Sequence, residues 1–184
     1  YTGSVSCTQL RGIVDYCLIG HSERRQLCHE SDKDIRATVA AAIRNQITPV
    51  LFLGETETER TFGETEDVLR DQLLGGLSEV STEDISKVIL AYEPIWAIST
   101  TTSCRIASPD EVADVTGFIR RTLASTYGQE IADSVPILFG GGVSPSNAGA
   151  YLTVPGVNGL VLGSSSLIGD QFTEIIEIAK KVTS

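Results

Sequence analysis

Short apolar runs alternate along this chain with longer segments whose apolar residues recur at helical spacing. Apolar runs bounded by turn residues are typical of buried strands, and the helical recurrence is typical of helices packed on one face. The predicted strands cover residues 16–20, 49–55, 88–91, 135–139 and 159–162. Three predicted helices cover residues 7–11, 32–45 and 172–182. Another helix is predicted to end at Gly75-Gly76, and two more are predicted to begin at Ser108-Pro109 and Ser144-Pro145. This alternation predicts an α/β fold in which helices cover a parallel sheet.

Two parts of the pattern predict burial in detail. Residues 16–20 are apolar throughout, as in a parallel strand that is buried on both faces. In the last helix, the inward positions are predicted to be Phe172, Ile175, Ile176 and Ala179. No linker or shift in composition divides the 184 residues, so a single domain is expected.

The charge balance excludes several classes of partner. The formal net charge is −10 and the isoelectric point is about 4.6, which argues against nucleic acid and against anionic membrane surfaces. No apolar run approaches the length of a membrane span, and no signal-peptide pattern opens the chain. An anionic substrate would have to be held by local dipoles, because the overall field repels it.

The cysteines, Cys7, Cys17, Cys28 and Cys104, form no pair at metal-ligand spacing, and the chain has only two histidines. We therefore expect free thiols, a reducing and hence cytoplasmic location, and no metal or other cofactor. The chain contains no methionine and opens with Tyr1-Thr2-Gly3, so this start is not expected to be the natural one.

Glu93 is the strongest candidate for chemistry, because it directly follows the strand predicted at 88–91. Active sites of parallel α/β folds gather at the carboxyl ends of strands. Pro94 disfavours continued regular structure, and the apolar side chains of Ile95 and Trp96 come next. Desolvation by either would raise the pKa of Glu93 and make it a general base near neutral pH.

His21 holds the corresponding position after the first predicted strand, and Ser22-Glu23 then starts a helical turn. A helix amino end disfavours a protonated imidazole, so we expect His21 to be neutral. Glycine-rich turns at Gly140-Gly141-Gly142 and at Gly163-Ser164 follow the last two strands. Glycine allows close approach of backbone N–H groups, which predicts an anion site without lysine or arginine.

Four motifs carry a resemblance to a known family. They are Ile-Gly-His-Ser-Glu-Arg-Arg at 19–25, Tyr-Glu-Pro-Ile-Trp-Ala-Ile at 92–98, Phe-Gly-Gly-Gly-Val at 139–143 and Gly-Leu-Val-Leu-Gly at 159–163. In order and spacing the chain resembles the triosephosphate isomerases. The resemblance implies a TIM (β/α)8 barrel, which needs about 250 residues. Residues 1–184 supply five units, so a single, incomplete barrel domain is expected.

The resemblance also implies an activity, the interconversion of dihydroxyacetone phosphate and glyceraldehyde 3-phosphate through an enediolate, without cofactor. The implied catalytic residues are Glu93 as base and His21 as hydrogen-bond donor, supported by Ser22 and Glu23. The implied phosphate ligands are Ser99, Gly141, Gly142, Gly163 and Ser164. The implied lid comprises Pro94, Ile95, Trp96, Ala97, Ile98, Ser99, Thr100 and Thr101. The loop at Thr2-Gly3 would reach into the partner subunit of a homodimer.

The chain also departs from the family. The far hinge of the lid lacks the family's glycines, and by this comparison the lid is about three residues longer. At single positions, Gly142 replaces a serine, Ser164 replaces a glycine and Phe52 replaces a cysteine. No segment corresponds to the family's first-strand lysine and asparagine, which would leave Glu23 without its partner. Three interpretations stay open: a triosephosphate isomerase that is poorly active as this chain alone, an isomerase of another phosphosugar such as a tetrulose phosphate, or a truncated, non-catalytic barrel.

Overall fold

The computed structural model describes residues 4–98 and 105–182. Five parallel strands form one sheet in the order of the chain. The strands are β1 (Tyr16–Ile19), β2 (Thr48–Leu53), β3 (Ile89–Tyr92), β4 (Ile137–Gly140) and β5 (Gly159–Val161). In the part of the chain that is described, β1 and β5 each pair with one neighbour, so the sheet is open. The predicted parallel, incomplete barrel is therefore confirmed.

Helices connect the strands and cover one face of the sheet. They are α1 (Cys7–Leu10), α2 (Ser22–Leu27), α3 (Asp32–Arg44), α4 (Glu57–Thr61), α5 (Thr65–Leu77), α6 (Pro109–Tyr127), α7 (Gln129–Ser134), α8 (Pro145–Leu152) and α9 (Gly169–Val182). Short 3-10 turns cover Thr82–Lys87, Ile95–Ala97 and Ser164–Leu167. Capping boxes at Ser31 and Ser108 satisfy backbone N–H groups where α3 and α6 begin. None of the described helices is both long and apolar enough to cross a bilayer.

The main core lies between the sheet and its helices and includes Leu51, Leu53 and Leu90. A smaller cluster of Val50, Phe52 and Ala91 lies on the opposite, inner face. Alternate residues of a strand point to opposite faces, so each strand contributes to both clusters. The inner face is the one that an eight-stranded barrel would enclose.

The prediction that the first strand is buried on both faces is wrong. The side chains of Tyr16 and Leu18 are 61% and 62% exposed. Leu18 pairs with Val50 in the sheet register and therefore lies on the inner face. At this edge of the open sheet no further described strand covers that face, so only the outward-facing Cys17 and Ile19 pack in the main core.

Two helix details also differ from prediction. Helix α5 continues through Gly75-Gly76 to Leu77. A Cβ added at Gly76 would lie 2.8 Å from Leu51 Cδ2, so this glycine serves close packing and not termination. In α9, Ile175 is buried as predicted, but Phe172 and Ile176 are exposed. The buried face is turned toward α8, where a Cβ added at Gly149 would lie 3.5 Å from Ile178 Cγ2.

Candidate active site

The position of Glu93 is set by a close backbone contact between β2 and β3. The Glu93 N–H donates to the Leu53 carbonyl at 2.8 Å. A Cβ added at Gly54 would lie 2.0 Å from the Glu93 carbonyl oxygen, so a side chain there would push the two strand ends apart. Gln72 of α5 holds Gly54 by bonding both its N–H and its carbonyl. Glu93 is therefore presented by a rigid strand end.

His21 is the N-cap of α2, and its ring orientation follows from that role. Its Nδ1 accepts a hydrogen bond from the backbone N–H of Glu23 at 3.2 Å. An Nδ1 that accepts carries no proton, so the neutral ring has its proton on Nε2. The edge of the ring rests on Phe52, with 5.1 Å between centroids. His21 Nε2 consequently points toward the end of β3, where it lies 3.1 Å from Glu93 Oε2.

The Glu93 carboxylate is only 11% exposed. This burial raises its pKa; a positive charge on His21 would oppose the rise, and the charge of Glu23 adds to it. The contact with His21 lacks hydrogen-bond geometry, and Glu93 Oε2 has no hydrogen-bond partner among the described residues. A carboxylate with a raised pKa and a free oxygen can accept a proton from a bound molecule.

A cavity of about 150 Å³ lies between Glu93 and the two glycine-rich turns. It is lined by Glu93, Ile98, Gly141, Gly142, Val143, Ser144, Gly163, Ser164 and Ser165. Gly141 and Gly142 have φ values of 128° and 60°, a backbone region that favours glycine. Among the residues described, no lysine or arginine lines this cavity. Any anion that binds here would depend on backbone N–H groups and serine hydroxyls.

The supporting residues lie close to this pair. Ser22 is buried and lines a cavity of about 10 Å³ together with Glu93 and Arg25. The Glu23 carboxylate has no ion-pair partner within residues 4–98 and 105–182. Of the lid residues, Ile95–Ala97 form a 3-10 turn between Pro94 and Ile98. Ser99, Thr100 and Thr101, together with Thr2 and Gly3, lie outside the described residues.

Sequence reasoning missed a buried carboxylate behind the lid turn. The side chain of Glu55 is fully buried, and its Oε1 accepts hydrogen bonds from Arg60 at 3.0 Å, Tyr92 at 3.2 Å and Trp96 at 2.9 Å. Glu55 follows β2 at the same edge of the sheet as Glu93. This position after a strand end could have identified Glu55 as a candidate from the sequence. Among the described residues, no cluster of three or more His, Cys, Asp or Glu side chains could hold a metal ion.

A comparison with protein families gives a match to triosephosphate isomerase over residues 1–179. The chain belongs to the triosephosphate isomerase family. It is 43% identical over 178 residues to the triosephosphate isomerase of Chlamydia trachomatis serovar D, an alignment that covers 96% of this chain and 63% of that relative. It is 38% identical to that of Caldanaerobacter subterraneus subsp. tengcongensis, covering 96% and 70%, and 36% identical to that of Chloroherpeton thalassium, covering 98% and 71%.

Two of the departures from the triosephosphate isomerase pattern now have a structural context. A Cβ at residue 142 would lie 3.2 Å from the Ala97 carbonyl, so glycine fits the close approach of the lid turn. Phe52, in place of the family's cysteine, supports the His21 ring. Gly142 therefore packs against the lid turn and Phe52 against His21.

Proposed function

We propose that this chain carries the proton-transfer residues of a triosephosphate isomerase, which interconverts dihydroxyacetone phosphate and glyceraldehyde 3-phosphate. The observation that carries the proposal is the placement of Glu93 against His21, beside the cavity bounded by the glycine-rich turns. Membership of the triosephosphate isomerase family supports it. Residues 1–184 act in this proposal as one partial barrel domain.

In the proposed reaction, Glu93 removes a proton from the carbon next to the substrate carbonyl. The Nε2–H of His21 donates a hydrogen bond to the carbonyl oxygen and stabilises the negative charge of the enediolate. Glu93 then returns the proton to the neighbouring carbon. A neutral imidazole suits this role, since Nδ1 accepts from Glu23 and leaves Nε2–H as the donor. Supporting roles fall to Ser22, which lies beside Glu93, and to Glu23.

The substrate phosphate is proposed to bind in the 150 Å³ cavity. Its proposed ligands are Gly141, Gly142, Gly163 and Ser164, joined by Ser99. The proposed lid comprises Pro94, Ile95, Trp96, Ala97, Ile98, Ser99, Thr100 and Thr101, and its closure would exclude water from the enediolate. The oxygen atoms of the phosphate would be held without a cationic side chain, in keeping with the lining of this cavity.

The isolated chain should nevertheless be a poor isomerase. Its 184 residues contain no counterpart of the family's lysine and asparagine, and preorganised charges and donors usually supply the largest share of transition-state stabilisation. The remaining proposals follow the family: a homodimer formed through the Thr2-Gly3 loop, in the cytoplasm. Cys7, Cys17 and Cys28 are free thiols, which is compatible with a reducing compartment.

The altered lid and the altered glycine-rich turns motivate a second candidate substrate, a tetrulose phosphate. The structure offers a simpler reason for Gly142, because its backbone conformation and its approach to Ala97 both favour glycine. We therefore favour the triose phosphate. The third interpretation, a non-catalytic barrel, is decided by the activity test.

The test joins the first three strand–helix units of the Chlamydia trachomatis relative to this chain and measures turnover of both sugar phosphates. The proposal expects preferred turnover of glyceraldehyde 3-phosphate, which Glu93→Gln abolishes. A folded chimera that turns over neither substrate would support the non-catalytic barrel. Preference for the tetrulose phosphate would support the second candidate.

A further inference from the structure

Two arginines lie over the ring of Trp96. The guanidinium carbon of Arg105 lies 4.0 Å from the centre of the indole and that of Arg60 lies 4.8 Å from it. The indole N–H donates to Glu55 Oε1 at 2.9 Å. Arginine stacks on an indole face through its planar, weakly hydrated charge, and the attraction strengthens when the ring is buried, as this one is.

Each guanidinium is itself fixed by carboxylates. Arg105 makes two hydrogen bonds to Glu111, from its two terminal nitrogens at 2.8 and 2.9 Å. Arg60 bonds Glu111 at 2.8 Å and Glu55 at 3.0 Å. The hydrogen bonds from Arg105 lower the pKa of Glu111 to about 2, with those from Ser108 and Arg60 adding to the effect, so Glu111 is ionised at neutral pH. We call Arg60, Trp96, Arg105 and Glu111 the indole clamp.

The indole clamp connects elements that are distant in the chain. The Arg105 N–H donates to the Trp96 carbonyl at 3.4 Å, so the two ends of the intervening segment are tied by backbone as well as by side chains. Glu111 lies in the first turn of α6, which the Ser108 capping box fixes. Arg60 belongs to α4. The indole is thus anchored to two separate helices.

The other side of the 3-10 turn faces the candidate site. A Cβ added at Gly141 would contact the Ala97 Cβ at 3.3 Å, and one at Gly142 would contact the Ala97 carbonyl at 3.2 Å. Pro94 connects the turn directly to Glu93. The turn Ile95–Ala97 therefore lies between the indole clamp and the wall of the 150 Å³ cavity. Movement of the indole would displace that wall, whereas Glu93 is held separately by its backbone contact with β2.

We propose that Arg105 and Glu111 are positioning residues, which hold the Ile95–Ala97 turn through Trp96 and thereby set the geometry of the anion cavity. Neither residue lines the cavity, so both act through the indole. The part of this inference that concerns substrate binding rests on the proposed function. The fixing of Trp96 by Arg105 and Glu111 does not depend on it. Lysine at 105 would keep the charge but lose the planar stack and the paired hydrogen bonds.

The first test follows the fluorescence of Trp96, the only tryptophan in the chain. Acrylamide quenching is compared in the 184-residue chain for wild type, Arg105→Ala, Arg105→Lys and Arg70→Ala. Arg70 is a matched control, since it stacks on Phe118 at 5.2 Å and pairs with Asp67 at 2.6 Å. We expect quenching to rise in Arg105→Ala, to rise less in Arg105→Lys and to stay unchanged in Arg70→Ala.

The second test measures inorganic phosphate binding by calorimetry, together with the melting temperature of each variant. Arg105→Ala and Glu111→Gln should each weaken phosphate binding by about three- to tenfold, the range expected for loss of a partly buried cation–π contact. The double variant should lose little more than either single variant, because the two residues act as one unit. A melting temperature like that of Arg70→Ala would exclude a general loss of stability.

The outcomes separate the two proposals. If wild type does not bind phosphate, the proposed anion site fails, and the quenching result alone decides the indole clamp. If Arg105→Ala leaves both quenching and phosphate affinity at the wild-type level, the clamp has no positioning role. Equal losses in Arg105→Ala and Arg70→Ala would likewise overturn it.

Discussion

His21 Nε2 and Glu93 Oε2 lie 3.1 Å apart, although β2 separates β1 from β3 in the sheet. Both residues follow the carboxyl ends of their strands, and parallel strands end at the same edge. Two side chains can therefore meet across the width of one strand, above Phe52. A substrate that binds between them must replace this contact with its own carbonyl oxygen and acidic carbon, which are the atoms the proposed reaction needs.

The first prediction concerns the activity of the isolated chain. Loss of one preorganised donor typically costs about a hundred- to a thousandfold in rate, and here a charge and a donor are both missing. The turnover rate of glyceraldehyde 3-phosphate by the 184-residue chain should therefore be lower than that of the chimera by more than this factor. The measurement is steady-state turnover, with Glu93→Gln as control. A kcat/KM near about 10⁸ M⁻¹s⁻¹, abolished by Glu93→Gln, would contradict the role given to the missing lysine.

A second prediction concerns stability and the raised pKa of Glu93. The folded state disfavours the ionised carboxylate, so wild type loses stability as pH rises through the raised pKa. Glu93→Gln should therefore melt higher than wild type at pH 7, by about 2–4 °C for each kcal/mol gained. Near pH 3 both side chains are neutral and the difference should vanish. Equal melting curves at both pH values would show that burial of this charge costs nothing.

The anion cavity makes a third prediction. Apart from Gly163 and its two chain neighbours, no atom of the described residues lies within 4 Å of a Cβ added at Gly163, so in that part of the structure the position accepts a side chain. Gly163→Asp places a negative charge at the cavity and should weaken phosphate or sulfate binding by about tenfold or more, as expected for like charges near 4 Å at a partly exposed site. Gly163→Asn, which has nearly the same shape, serves as the control. Calorimetry showing the same affinity for both variants would place the anion elsewhere.

Glu55 is the subject of the fourth prediction. Its removal leaves the Tyr92 hydroxyl and the Trp96 N–H without their acceptor and Arg60 without a buried partner. Breaking a buried ion pair from one side costs about 3–5 kcal/mol. Urea denaturation of Glu55→Ala should show a loss of this size, whereas the exposed Glu64→Ala should stay within about 0.5 kcal/mol of wild type. A small effect at Glu55 would mean that the network adds little net stability.

The open face of β1 leads to a fifth prediction. Tyr16 and Leu18 expose apolar surface beside a strand edge that no other described strand pairs with, an arrangement that favours association. The isolated chain should self-associate with rising concentration, and Leu18→Lys should reduce this. Analytical ultracentrifugation compares it with Ile13→Lys, which removes an exposed apolar side chain outside the sheet. If the two variants associate equally, the inner face is not the contact surface.

Residues at strand ends and in glycine-rich turns could be placed from the sequence. Glu93 and His21 follow apolar runs directly, and parallel strands end at the same edge of a sheet, so their location at one edge could be predicted from the sequence. Gly141, Gly142, Gly163 and Ser164 could be assigned to one site for the same reason. The structure brings all of them to the cavity beside Glu93.

Features that depend on side-chain packing between distant elements could not be predicted. Arg60, Arg105 and Glu111 are charged residues of ordinary appearance, and only the folded chain brings them around Trp96. Exposure was misjudged for Leu18 because an apolar strand has the same pattern whether or not its neighbours are present. The prediction that a helix ends at Gly75-Gly76 failed because the sequence alone does not distinguish a glycine needed for packing, here against Leu51, from one that ends a helix.

Within residues 4–98 and 105–182, each strand pairs with the strand before or after it in the chain, and this order bears on the kinetics of folding. Joining neighbouring units closes shorter loops than joining distant units would, and a shorter loop costs less conformational entropy. A parallel sheet paired in chain order should therefore fold faster than one of the same size that must pair remote units. Ordering can therefore begin at one pair, such as β2 and β3, and spread one unit at a time. A chain built in this way can acquire structure progressively while it is still leaving the ribosome.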